Sequence, residues 1–155
     1  MIDSFKGEFA FLSNFSRIDI TVAGKVWPTA EHMFMACKSL NPAVQEQIRT
    51  ASSPGMAKKL GRQLALRPDW EKIKDEAMLR VLRHKFHQNK EHQQLLLATG
   101  EEELIEGNYW HDNYWGICQC PKCRNVKGAV RPLNVVKGKN MLGKLLMQVR
   151  KELHK

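Results

Sequence analysis

Apolar and polar positions alternate at Ile18, Ile20 and Val22, break at Ala23-Gly24, and resume at Val26. With its aromatic and β-branched residues, the stretch 9 to 27 therefore reads as short strands around a tight turn. Pro28 ends this sheet, because the residue before a proline is pushed to extended geometry. Thr29 can then cap a helix running to about Leu40. Asn41-Pro42 and Ser53-Pro54 each place a capping side chain before a proline at a first helical position, which predicts two further short helices.

The period lengthens in "PDWEKIKDEAMLRVLRHKF", where Ile73, Ala77, Leu79, Val81, Leu82 and Phe86 form a helical stripe and Asp69 is the expected cap. "EHQQLLLATG" adds one or two turns ending at Gly100. "ELIEGNYWHDNYWG" returns to extended character. Residues 116 to 139 are expected to form a long loop rich in Gly, Lys, Pro and Cys, of the kind that usually has a function inside a small domain. Leu142, Leu145, Leu146 and Val149 then mark an amphipathic C-terminal helix with Asn140 as its cap. The pattern predicts an α+β fold, a mainly helical single domain over residues 1 to 155 with a small N-terminal antiparallel sheet.

Charge narrows the partners. Lys and Arg number 25 against 16 Asp and Glu, a formal charge of +9, which favours anionic partners such as nucleic acid, nucleotides or phosphorylated metabolites. No apolar run approaches membrane-spanning length, and the N-terminus lacks a basic region followed by an apolar stretch, so a cytoplasmic protein without membrane association is expected. Three of the four cysteines crowd into "CQCPKC", a spacing suited to metal or redox chemistry rather than to a disulfide framework.

In "WPTAEHMFMACK", Glu31 falls in the first turn after Thr29, where exposed N–H groups and the helix dipole keep a carboxylate ionised. Such a group can stabilise developing positive charge, act as a base, or attack; first-turn glutamates also serve simply as dipole complements. Helical spacing puts Lys38 on the same face, across Phe34 and Met35. His32 points about a third of a turn away and reads as a packing histidine.

The ordered motifs "FLSNF", "VWPTAEHMFMACK", "SPGMAKKLGRQ", "DWEKIKDEAMLRVLRHKF", "LLLATG", "DNYWG" and "KGKNMLGKLLMQVR" resemble the YbiA-like, or NADAR, family over roughly residues 9 to 150. The resemblance implies a YbiA-like fold and an enzyme that cleaves N-glycosidic bonds of ribosyl compounds. It also implies that Glu31, Lys38 and Asp112 are catalytic and that Trp70 and Trp115 bind substrate; Asn14, Gly116 and Asn140 are candidate substrate contacts beside them, with turn chemistry the alternative for Asn14 and helix capping for Asn140. Such chemistry passes through an oxocarbenium-like state, which needs a carboxylate for charge and a second group to deliver water. Glu31 and Asp112 can divide that labour, or the Lys38 amine can attack the anomeric carbon and give an imine. Trp27 reads as core, and Lys137 and Lys139 as phosphate-attracting charge.

Two substrates follow from the family: ADP-ribosylated guanine in nucleic acid, whose removal counteracts an ADP-ribosylating toxin, and a free ribosylamino-pyrimidine phosphate of riboflavin biosynthesis. The charge of +9 favours the first. A non-catalytic nucleic-acid-binding or zinc-loop module is the rival from another class.

The chain departs from the family by inserting "ICQCPKCRNVKGAVRPLNVV" between "WG" and "GKGKN", beside Asp112 and Trp115. No cofactor is expected, apart from a structural zinc on Cys118, Cys120 and Cys123, which would need a fourth ligand such as His111 or Cys37. A reduced, metal-free cysteine loop is the alternative. Oligomeric state is not legible.

Overall fold

The turn at Ala23-Gly24 has both residues at positive φ, 50° and 79°, the geometry of a two-residue hairpin whose twist matches its strands. It joins β1 (Ile20–Val22) to β2 (Lys25–Trp27), antiparallel, with Ile20 opposite Trp27. In this computed structural model residues 1–126, 129, 130 and 138–155 are described. They form two compact units, one of Asn14–Gln94 and one of Met1–Ser13 with Leu95–Lys155.

The first unit contains the hairpin and four helices. α1 (Ala30–Ala36) starts where the Thr29 side chain accepts a hydrogen bond from the His32 N–H. α2 (Pro42–Arg49) and α3 (Pro54–Gln63) start at Asn41 and Ser53, each with proline in its first turn and a capping side-chain bond. α1 packs against α2, α3 and α4 (Trp70–Gln88). The approach of α3 is close because Gly61 lacks a Cβ, which would otherwise collide with the Met35 side chain. At the far end of α4 the Gln88 amide satisfies both backbone groups of Thr21, at 2.8 and 2.7 Å, so β1 has a polar partner on its open side. Met78, Val81, Leu82 and Phe86 form the buried stripe of α4, and Lys85 lies among them with no exposed surface.

α5 (Lys90–Ala98) leads into the second unit and ends at Gly100, which takes φ 61°. Here a 3₁₀ helix spans Gly7–Leu12, Ile2 bridges to Leu104, and β3 (Gly107–Asn108) runs parallel to β4 (Ile117–Cys118). A short helix α6 (Pro121–Arg124) is followed by β5 (Asn125–Val126), which pairs antiparallel with β6 (Ala129–Val130). α7 (Met141–Leu153) buries Leu142, Leu145, Leu146 and Val149. The mainly helical α+β architecture with a small antiparallel sheet agrees with the expectation from patterning. No helix among the described residues is long and apolar enough to cross a membrane.

Five local expectations are corrected. Phe9 to Leu12, expected to be extended, belong to the 3₁₀ helix. α1 ends at Ala36 rather than near Leu40, because the Lys38 carbonyl accepts from Arg67 N–H and the Ser39 carbonyl from the Gln45 side chain. Asp69 makes no capping bond; Arg67 takes its carboxylate in a two-pronged pair at 2.6 and 2.9 Å. Asn140 does not cap α7 either, having a left-handed backbone at φ 49°, ψ 45° instead of the extended geometry a cap requires. Residues 116 to 139 are not a plain loop, since their described part holds β4, α6, β5 and β6.

Candidate functional site

In the first unit the site is built around the entry of α1. The Glu31 N–H donates to the Asn14 carbonyl at 3.0 Å, which fixes the "LSNF" turn against the first turn of the helix and satisfies one of its otherwise orphaned donors. Asn14 is buried; its amide N–H lies 3.5 Å from Met78 Sδ, and its Oδ1 has no hydrogen-bond partner among the described residues. A buried acceptor left open in this way is suited to receive a donor from a bound molecule.

Glu31 is itself buried, and its charge acts on Lys38. Burial pushes the Lys38 amine below the ordinary lysine range; the Glu31 carboxylate opposes that shift, and the Arg62 and Lys58 cations of α3 reinforce it. Lys38 Nζ lies 5.9 Å from the centre of the Trp70 ring, and Trp70 packs against Phe34 at 5.3 Å. The backbone holds this arrangement: Arg67 N–H reaches the Lys38 carbonyl at 2.9 Å, and Trp70 N–H reaches the Arg67 carbonyl at 3.1 Å. Asn14, Glu31, Lys38 and Trp70 are thus brought together through direct bonds, charge and ring contact.

His32 is held at both ring nitrogens. The Ala51 carbonyl, which can only accept, lies 3.0 Å from Nε2, so Nε2 carries the proton and Nδ1 accepts from the Thr29 hydroxyl at 2.7 Å. Burial lowers its pKa, and the ring serves to anchor the helix entry. Trp27 is half-buried on a cavity of about 380 Å³, together with Val22, Met33, Cys37 and Arg80. Glu31, Lys38 and Trp70 do not line that cavity, so the site is assigned to the polar cluster and not to it.

Asp112, Trp115, Gly116 and Asn140 lie in the second unit. Asp112 Oδ1 accepts from the Tyr114 and Trp115 N–H groups at 3.0 and 2.9 Å, while Asn108 binds its backbone from both sides. The segment then supplies carbonyls to the start of α7: Asn113 to Lys139, Gly116 to Asn140, Tyr114 to Met141 and Trp115 to Leu142. This answers where the first N–H groups of α7 find partners in the absence of a side-chain cap. The Asn140 amide instead joins two backbone groups, donating to the Leu104 carbonyl at 2.8 Å and accepting from Glu106 N–H at 3.0 Å. Gly116 has no room for a Cβ, which would collide with the Glu106 carbonyl. Trp115 stands edge-on to Tyr114, and Lys139 Nζ sits 4.9 Å from the Tyr114 ring centre. Lys137 lies outside the described residues. Cys118, Cys120 and Cys123 gather with His111, all four potential ligand atoms lying within 4.8 Å of one another.

The model of the NADAR domain matches residues 4–154, through both units. This chain belongs to the NADAR family. N-glycosidase YbiA of Escherichia coli strain K12 is 40% identical over 152 residues, covering 97% of this NADAR chain and 85% of that protein. An N-glycosidase of Nostoc punctiforme is 34% identical over 94% of the chain and 86% of its own length. A riboflavin biosynthesis protein of Vibrio vulnificus is 37% identical over 92% of the chain but only 35% of its own length. The NMR structure of E. coli YbiA superimposes with a TM-score of 0.79 at 38% identity, covering 99% of this chain and 85% of that one.

Three basic side chains of this NADAR protein went unmarked by sequence reasoning. Lys58 and Arg62 stand one turn apart on α3, a spacing that could have suggested a shared face. Lys85 occupies a stripe position four residues after Val81 and three after Leu82; a lysine on an apolar face was the signal available.

Proposed function

We propose that this chain is an N-glycosidase that hydrolyses the bond between ribose C1′ and a base nitrogen in a phosphorylated ribosyl compound. The observation that carries this reading is the buried Glu31 carboxylate acting on a half-buried Lys38 amine beneath the Trp70 ring. As the C1′–N bond breaks, its electron pair leaves with the base, and positive charge develops at C1′ and the ring oxygen. Glu31 stabilises that charge. The neutral fraction of Lys38, enlarged by burial, adds to C1′ and gives up one N–H proton to the departing base; its other N–H proton passes to the ring oxygen as the sugar opens to an imine, and water then adds to C1′, releasing the amine and the free sugar. The names of the YbiA and Nostoc relatives agree with the reaction class.

The substrate favoured by charge is ADP-ribosylated guanine in nucleic acid. The chain carries +9, and Lys58 and Arg62 add positive potential around Lys38, which suits a diphosphate attached to a polynucleotide. Its release would reverse the mark left by an ADP-ribosylating toxin. The second reading, a ribosylamino-pyrimidine phosphate, is favoured by the Vibrio vulnificus relative and by a chloroplastic relative of Zea mays, both named as riboflavin biosynthesis proteins.

Parallel incubation with guanine-ADP-ribosylated DNA and with the pyrimidine phosphate, followed by mass spectrometry of the released sugar, separates the two. Release from DNA that is lost in Glu31→Ala and Lys38→Ala supports the first reading. Release only from the small phosphate transfers the same machinery to the second, and no release from either removes both. Borohydride added during turnover should leave a sugar mass on the peptide containing Lys38.

A further inference from the structure

The inserted cysteine segment gathers four ligand atoms around one point. Cys118, Cys120 and Cys123 Sγ lie 3.7, 3.4 and 3.5 Å from a single nitrogen, His111 Nδ1. One imidazole nitrogen has a single lone pair and accepts one S–H hydrogen bond, so three thiols have no reason to converge on it for hydrogen bonding alone. A tetrahedral cation supplies the reason. With Zn–S near 2.3 Å and Zn–N near 2.05 Å, the N···S edge of a regular tetrahedron is about 3.6 Å, within the range of the three distances seen here.

The surroundings aim N–H donors at the sulfurs. The His111 N–H points at Cys118 Sγ at 3.3 Å, the Asn113 amide N–H at Cys123 Sγ at 3.7 Å, and the backbone N–H groups of Lys122 and Cys123 at Cys120 Sγ. Each sulfur thus receives at least one N–H donor, the outer support that metal-bound thiolates use to disperse charge. None of the cysteines is in a disulfide. His111 adopts φ 66°, uncommon for a residue with a Cβ, and this conformation turns its ring toward the cysteines.

We propose that His111, Cys118, Cys120 and Cys123 bind one zinc ion in a closed Cys₃His site that organises the insertion. Four protein ligands leave no open position for water or substrate, so the ion is structural and takes no part in glycosidic cleavage. On binding, the three thiols release three protons and His111 ligates as neutral imidazole through Nδ1. The ligands reach from His111, next to Asp112, to Cys123 in α6, so the ion crosslinks the "DNYWG" turn to the inserted segment. Cys37 is not among the gathered ligands and is not required.

The test is metal analysis of protein expressed with supplementary zinc and purified under reducing conditions. Stoichiometric zinc is expected in the wild type and in Cys37→Ser, with at least a tenfold loss of affinity in Cys120→Ser, Cys123→Ser and His111→Ala. Cobalt substitution of the wild type gives a readout independent of whether the variants fold: intense visible absorption of tetrahedral cobalt with sulfur-to-metal charge transfer in the near ultraviolet. Wild-type protein without bound zinc, whose Cys118, Cys120 and Cys123 react with a thiol reagent equally fast with and without added zinc, would overturn the proposal. So would a cobalt spectrum lacking charge-transfer bands.

Discussion

Lys38 Nζ lies 5.9 Å from the centre of the Trp70 ring, with the backbone of Arg67 tying the two residues together. The indole supplies attraction for an ammonium and, by covering it, removes water. Burial is the larger influence on this lysine, so the net effect is to favour the neutral amine.

The direction of that shift predicts a pH profile. Lowering the pKa of Lys38 in the folded protein gives more neutral amine at a given pH, so wild-type kcat/KM should rise with pH and level off below the range in which an ordinary lysine deprotonates. Trp70→Ala rehydrates the amine and should move this limb to higher pH, with the largest loss at neutral pH and partial recovery in alkali. A pH-rate series on both proteins checks it; an unshifted limb would detach Lys38 from the rate.

Asn14 is expected to act on substrate affinity more than on folding. Its Oδ1 lacks a partner among the described residues, and its N–H lies against a thioether, so little native bonding is lost in Asn14→Ala. One hydrogen bond to a bound donor is worth roughly 1 to 3 kcal/mol, or about 5- to 150-fold in kcat/KM. Steady-state kinetics beside a thermal melt distinguishes this from destabilisation, which would move the melt as well.

Gly116→Ala forces a Cβ into the Glu106 carbonyl and the segment whose own carbonyls receive the first N–H groups of α7. A loss of about 2 to 4 kcal/mol in unfolding free energy is expected, since backbone on both sides has to move. Urea denaturation measures it. A change below about 0.5 kcal/mol would show that the contact relaxes freely.

Lys85, fully buried, has its pKa lowered by desolvation to about 7 from an ordinary 10.5. Between those values the unfolded chain holds a proton that the native chain lacks, so native stability gains as pH rises; below about 7 the cost of burying the charge is present in full. The stability of wild type relative to Lys85→Met should therefore increase from pH 7 to 9, by up to about 1.4 kcal/mol per pH unit. Denaturant titrations of both proteins across that range supply the double difference; a flat difference would mean that Lys85 stays charged.

The features legible in the sequence were those settled within a few residues along the chain. Thr29, Asn41 and Ser53 bond to N–H groups two or three residues away, Ala23-Gly24 closes a two-residue turn, and the stripe of α7 repeats within one helix, so local chemistry alone specified them. The pairing of Glu31 with Lys38 was readable for the same reason, through helical spacing, although α1 itself stops short of Lys38. Tertiary structure decided the cases in which a distant partner competes for the same group. The Asp69 carboxylate belongs to Arg67 and not to its helix, and the Asn140 amide serves Leu104 and Glu106 instead of the helix it precedes. Packing also determined which cations matter, since only the close approach at Gly61 sets Lys58 and Arg62 against α1, and only the surrounding core strips the water from Lys85. His111 stands seven residues before the first of its three cysteines; the turn held by Asn108 and Asn113 brings them to one point, a convergence that spacing along the chain does not specify.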